Sequence, residues 1–148
     1  MTIDLTDNQF RVLTRALFIS SVITGEVAEL DPDLDIDEKG YEDLLSHVLA
    51  RAGDFKAGDD VETDPEKKRT VVSHKLEEEC GQILESFEEI VFWDEMIHRL
   101  ASRDMHDKFG HEALDQMSVE ELVDKESPLI DKYAEEFEKH GIQRLVLK

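Results

Sequence analysis

Three residues in the second half of the chain have the types and spacing of metal ligands: Asp94, Glu95 and His98. Glu95 and His98 form a Glu-x-x-His step, which places a carboxylate and an imidazole on one side of a helix. Asp94 falls at an apolar heptad position between Ile90 and Ile97, where a carboxylate is costly unless it is paired or bound to a metal. These three residues are therefore candidate metal ligands. The interpretation we favour is that Asp94 and His98 form a hydrogen-bonded pair that sets register or partner choice.

The Glu95-x-x-His98 step resembles the ligand steps of ferritin-like di-iron bundles, which combine two such steps with two further Glu residues. This chain has a single Glu-x-x-His step, so a homodimer would supply the second copy. The resemblance implies a metal-dependent helical-bundle enzyme and rests on these residues alone.

A second acidic set consists of Glu85-x-x-Glu88 and Glu112-x-x-Asp115. It resembles the paired acidic steps with which all-α nucleotide pyrophosphohydrolases hold Mg²⁺ on a nucleoside triphosphate. A chain this rich in Glu and Asp contains as many such pairs by chance, and Gly110 predicts a helix end just before Glu112. The set remains a second form of the enzyme hypothesis, with catalytic residues and cofactor unassigned.

The acidic linker between the first two predicted helices has the carboxylate spacing of an EF-hand loop, with Asp31, Asp33, Asp35, Asp37 and Glu42 at ligand positions. Ile36 stands where the loop needs Gly for its sharp turn. We interpret the segment as a solvated linker.

The amino-acid composition argues against some classes of binding partner. The 148 residues include 17 Lys and Arg against 37 Asp and Glu, which gives 17 − 37 = −20, and we expect one domain over residues 1–148. Such a negative surface repels nucleic acid and anionic membranes, and no apolar run is long enough to predict a membrane span. The lone Cys80 predicts a reducing compartment, so we expect the cytoplasm.

The hydrophobic pattern predicts an all-α fold, a bundle of about five helices with one long central helix. The first spans residues 7–29 behind Thr6 or Asp7, and its middle, residues 16–23, is apolar nearly all round. We therefore expect neighbours on both of its faces. Asp37 predicts the N-cap of a second helix that ends at Gly53 and is followed by a surface loop.

The long helix is predicted to begin at Asp64-Pro65 and to end before Gly110. Its roughly 65 Å would exceed the about 40 Å width of a globule of this size. The helix therefore either breaks, at Gly81 or in residues 103–106, or extends and pairs with another copy. It carries an apolar heptad seam, with Leu76, Ile83, Ile90 and Ile97 every seven residues and Cys80, Phe87 and Ala101 between them.

Two shorter helices are predicted near the C-terminus. Ser118 and Glu121 form a capping box for one that ends near Val123, and Ser127-Pro128 opens another that ends at Gly141. The apolar tail, residues 142–147, is expected to pack as an extended segment.

The acidic chain contains one cluster of positively charged residues: Lys67, Lys68, Arg69 and Lys75. At the predicted start of a helix, the helix dipole disfavours it. The cluster either attracts an acidic partner or is an exposed patch without a role.

Two functional hypotheses follow from these patterns. The first is a cytoplasmic acidic protein that acts by association, as a homodimer through the long helix, with an acidic surface for a basic protein partner. The second is a metal-dependent helical enzyme that uses either acidic set.

Overall fold

The structure is a computed structural model that describes residues 3–66 and 68–146. In this part of the chain it contains five α-helices, one β-hairpin and two short 3₁₀ turns, which confirms the predicted predominantly helical fold. Two compact units divide the chain, Met1–Glu85 and Ser86–Lys148. The single-domain organisation over residues 1–148 stays a prediction.

Helix α1 (Asp7–Leu30) begins with a capping box. Thr6 Oγ1 accepts a hydrogen bond from the Gln9 amide, and the Gln9 side chain accepts one from the Thr6 amide. The predicted cap at Thr6 is therefore confirmed, whereas the expectation of neighbours on both faces of the helix stays a prediction. Phe10 and Thr14 are buried, whereas Val12 is 59% exposed. Within this unit α1 packs against α2 and the first 3₁₀ turn.

Helix α2 (Glu38–Leu49) begins as predicted, with Asp37 Oδ1 accepting a hydrogen bond from the Gly40 amide at 3.0 Å. It ends four residues before Gly53, because 3₁₀ turns over Ala52–Phe55 and Gly58–Asp60 replace the predicted last helical turn and loop. These turns fill the core of the first unit. Phe55 stacks on Phe10 with ring centroids 4.4 Å apart, and Ala57 is fully buried beside them.

The predicted helical start at Asp64-Pro65 is wrong. These residues lie in a β-hairpin, in which β1 (Val61–Asp64) pairs antiparallel with β2 (Arg69–Val72). Asp64 Oδ1 accepts a hydrogen bond from the Glu66 amide at 2.8 Å, which makes a turn where a helix cap was expected. The paired strands are rich in Val and Thr, whose branched side chains favour strands over helices.

Helix α3 (His74–Phe109) is therefore shorter than predicted, at 36 residues. Ser73 supplies its N-terminal cap, because Ser73 Oγ accepts a hydrogen bond from the Leu76 amide. The helix continues through Gly81 and through residues 103–106, so neither predicted break occurs. It ends at Gly110, whose φ of 74° suits glycine.

In the second unit, α3 is followed by the short helix α4 (His111–Gln116), which the pattern did not predict, and by α5 (Val119–His140). The capping box of Ser118 and Glu121 is confirmed. The two predicted C-terminal helices are one continuous helix, with Pro128 inside it and the adjacent Ser127 Oγ donating to the Val123 carbonyl. Gly141 ends α5 as predicted.

The predicted extended tail is also wrong within the described residues. Hydrogen bonds from Gln143 N to His140 O and from Leu145 N to Ile142 O fold it into turns, and Ile142 and Val146 are exposed. Leu147 lies outside the described residues.

A candidate association face on the long helix

The apolar seam of α3 is covered at its two ends. In the first unit, Leu76 and Cys80 are fully buried, and burial raises the pKa of the Cys80 thiol. This confirms Cys80 as a small core residue. In the second unit, Ala101 and Met105 are buried. At these ends the seam is part of the core of each unit.

Between its covered ends the seam is open. In the second unit, Phe87 is 57%, Ile90 67% and Val91 40% exposed. At about 100° per residue these three side chains occupy an arc of about 100° on one side of α3. We call them the exposed α3 face. In the first unit, the seam residue Ile83 is exposed as well.

Asp94 and His98 continue the same arc of α3 after Val91. His98 Nε2 lies 3.7 Å from Asp94 Oδ1, and both side chains are exposed, so Asp94 carries no burial cost in a single chain. Glu95 points elsewhere on the helix and accepts a hydrogen bond from Arg99 Nε at 2.8 Å. Two of the three predicted ligands therefore lie near each other, at a distance too long for the hydrogen bond predicted between Asp94 and His98.

The structure does not test the hypothesis of a metal site at Asp94, Glu95 and His98, which stays a prediction. Within residues 3–66 and 68–146, no group of three or more His, Cys, Asp and Glu side chains is arranged to hold a metal ion. In the second acidic set, Glu88, Glu112 and Asp115 are exposed, and Asp115 lies 3.8 Å from His111 Nδ1. Asp37, predicted as either cap or loop ligand, caps α2.

Of the basic cluster, Lys68 and Arg69 lie away from a helix start, whereas Lys75 is the second residue of α3. Lys68 is in the hairpin turn with φ of 50°, and Arg69 begins β2, so the argument from the helix dipole does not apply to them. Lys75 is on α3, 3.8 Å from Glu79. Lys67 lies outside the described residues.

Sequence reasoning missed a polar cluster that joins α3 to α5 in the second unit. Asp104 Oδ2 accepts a hydrogen bond of 2.6 Å from the Tyr133 hydroxyl, and Asp104 Oδ1 lies 2.7 Å from Arg103 Nη2. The bond from Tyr133, followed by that from Arg103, lowers the pKa of Asp104. Burial, followed by the same hydrogen bond, raises the pKa of Tyr133. The one available signal was a tyrosine on the apolar side of the last predicted helix.

Removing the Tyr133 hydroxyl tests this cluster. We expect Tyr133→Phe to lower the free energy of unfolding at pH 7 by about 1 kcal/mol, because a hydrogen bond to a charged group is lost. The lowered pKa of Asp104 contributes stability above its unfolded-state pKa of about 4, which is lost as pH falls. Urea unfolding at pH 7 and pH 3 will therefore show a smaller difference between variant and wild type at pH 3. The raised pKa of Tyr133 adds stability that is lost above about pH 10.

Tyr41→Phe is the matched control, because the Tyr41 side chain is exposed. An equal loss in both variants at pH 7 would contradict a role for the bond between Tyr133 and Asp104.

A second cluster in the first unit was also missed. Asp60 is buried, and its Oδ2 lies 2.7 Å from Arg11 Nη1 and 3.7 Å from Arg15 Nη1. Arg11 also donates hydrogen bonds to the Lys56 carbonyl and to Asp59 Oδ1. The hydrogen bond from Arg11 to Asp59 lowers the pKa of the Asp59 carboxyl. The two arginines thus fasten α1 to the second 3₁₀ turn. Their spacing of four residues within an apolar helix was the available signal.

None of the helices in the described part of the chain has the length and apolarity to cross a membrane. In comparisons with protein-family models, curated proteins and solved structures, nothing matches this chain.

Proposed function

We propose that this protein acts by association and forms a homodimer through the exposed α3 face. The observation that carries the proposal is the exposure of Phe87, Ile90 and Val91 on a helix whose seam is buried at Ala101. These residues occupy consecutive a, d and e positions of the heptad pattern, the positions through which helices pair. A two-fold axis would place one such face against its copy.

The acidic surface is proposed as a site for a basic protein partner. The net charge of −20 supports this second part, because such a field attracts cationic proteins and repels nucleic acid. We also place the protein in the cytoplasm, a proposal supported by the lone, buried Cys80.

Sedimentation of the wild-type protein tests the homodimer. The exposed α3 face is small compared with the about 800 Å² that each partner buries in a standard interface, so we expect a weak dimer that forms at tens of micromolar. Two copies of charge −20 repel each other, so the dimer will tighten as salt is raised and the repulsion is screened. Binding of a basic protein will weaken under the same change.

A monomer at tens of micromolar in both low and high salt would overturn the proposed homodimer. The rival enzyme hypothesis is tested on the same sample by metal analysis. Stoichiometric Fe, Mn or Zn, lost in the His98→Ala variant, would favour the enzyme hypothesis.

A further inference from the structure

A groove of about 220 Å³ lies within the first unit, among α1, α2 and β2. Its apolar wall consists of Phe18 and Val22 from α1 and Leu45 and Leu49 from α2. The volume is below the about 300–1,000 Å³ of sites for drug-sized ligands. The groove therefore suits a few side chains better than a large cofactor.

The third side of the groove is formed by β2. All four residues of β2, from Arg69 to Val72, line the groove, and none of β1 does. A groove on the face of the hairpin would be lined by alternate residues of both strands. The lining therefore indicates a groove along the side of β2 that faces away from β1.

Along that edge, the outward main-chain groups of β2 have no backbone hydrogen-bond partner among the described residues. In the antiparallel ladder, alternate residues of β2 direct their N–H and C=O groups away from β1. Within the described part of the chain, no hydrogen bond joins β2 to α1 or α2. An unpaired strand edge of this kind is a template for an added strand.

Charge distinguishes one end of the groove. Arg69 is one of the lining residues and has no salt bridge to a carboxylate among the described residues, although Glu42 lines the same groove. Lys68 adds a second positive charge beside Arg69 on a chain that is otherwise acidic. An incoming carboxylate near Arg69 would therefore be attracted.

We propose that this groove binds an extended peptide segment of another protein. The peptide pairs with the free edge of β2 as a third strand, packs apolar side chains against α1 and α2, and places an acidic side chain beside Arg69. Main-chain hydrogen bonds supply affinity in this mode of recognition, and alternate side chains supply specificity. The proposal does not depend on dimerisation through α3.

A phage-displayed library of random octapeptides, panned on the 148-residue chain, tests the proposal. We expect enriched peptides with apolar residues at every second position and an acidic residue at one end. In Arg69→Glu, selection will favour a basic residue at that end. In synthetic copies of an enriched peptide, N-methylation of one alternate set of amides will weaken binding at least tenfold, and methylation of the other set will not.

Two matched variants locate the binding site. Ser46→Phe fills the groove from α2, whereas His47→Phe adds a similar ring at the exposed neighbouring position, which does not line the groove. We expect only the first to abolish peptide binding. The proposal is overturned if no peptide is enriched, if Arg69→Glu leaves the selected charge unchanged, or if both sets of N-methylated peptides bind equally well.

Discussion

The Phe87→Gln/Ile90→Gln double variant will be monomeric at protein concentrations where the wild type dimerises. Both side chains lie on the exposed α3 face and are more than half exposed in the single chain. Full burial of a Phe or Ile side chain contributes about 1.5–3 kcal/mol. Two residues in each of two copies give four side chains. If each side chain contributes half of its full burial energy to the dimer, the double variant loses about 3–6 kcal/mol of binding free energy, which weakens the Kd of the dimer at least about 100-fold.

Stability of the single chain separates this result from a folding defect. The substituted side chains are exposed, so the free energy of unfolding, measured at a concentration where the wild type is monomeric, should change by less than about 0.5 kcal/mol. Sedimentation and thermal unfolding of the same samples make the comparison.

Phe92→Gln provides the matched control. Phe92 is also an exposed aromatic residue of α3, but it lies about 140° around the helix from Phe87. We expect Phe92→Gln to dimerise like the wild type. Equal dimerisation of the wild type and the double variant would show that association does not use the exposed α3 face.

Phe10→Ala will strongly destabilise the first unit. The Phe10 side chain is 3% exposed and stacks on Phe55 in the core that also contains Ala52 and Ala57. Truncation removes the stacked ring and leaves a cavity, at a cost of about 3–5 kcal/mol. This is a large part of the about 5–15 kcal/mol by which a typical domain is stable. Urea unfolding followed by circular dichroism measures the loss.

Val12→Ala shortens an apolar side chain on the same helix at a position that is 59% exposed. Its effect should stay below about 0.5 kcal/mol. A loss of less than 1 kcal/mol in Phe10→Ala would mean that the 3₁₀ turns do not pack against α1 as described.

Local hydrogen bonds made several boundaries predictable from sequence. The starts of α1, α2 and α5 depend on Thr6, Asp37 and Ser118, each of which binds an amide within the next three residues. The ends of α3 and α5 depend on glycines with positive φ. Such contacts join near neighbours in the chain, so a short stretch of sequence contains the information for them.

The sequence-based predictions were wrong where a local motif is compatible with two conformations. Asp64-Pro65 is typical of a helix start, but Asp64 instead closes a turn between strands of branched residues. Ser127-Pro128 is also typical of a helix start, but it lies within α5. In both places pairing or packing with distant residues decided between two locally acceptable conformations.

The amino-acid sequence alone determined that the chain is largely helical, where most helices begin and end, and that the long helix carries an apolar seam. Only the tertiary structure decided which part of that seam is covered: Leu76, Cys80 and Ala101 are buried, whereas Phe87 and Ile90 are open. It also decided that the residues of β2 line a groove together with residues of α1 and α2. Heptad spacing shows which side chains share a face of a helix, but burial depends on where other segments pack, and that is a property of long-range contacts.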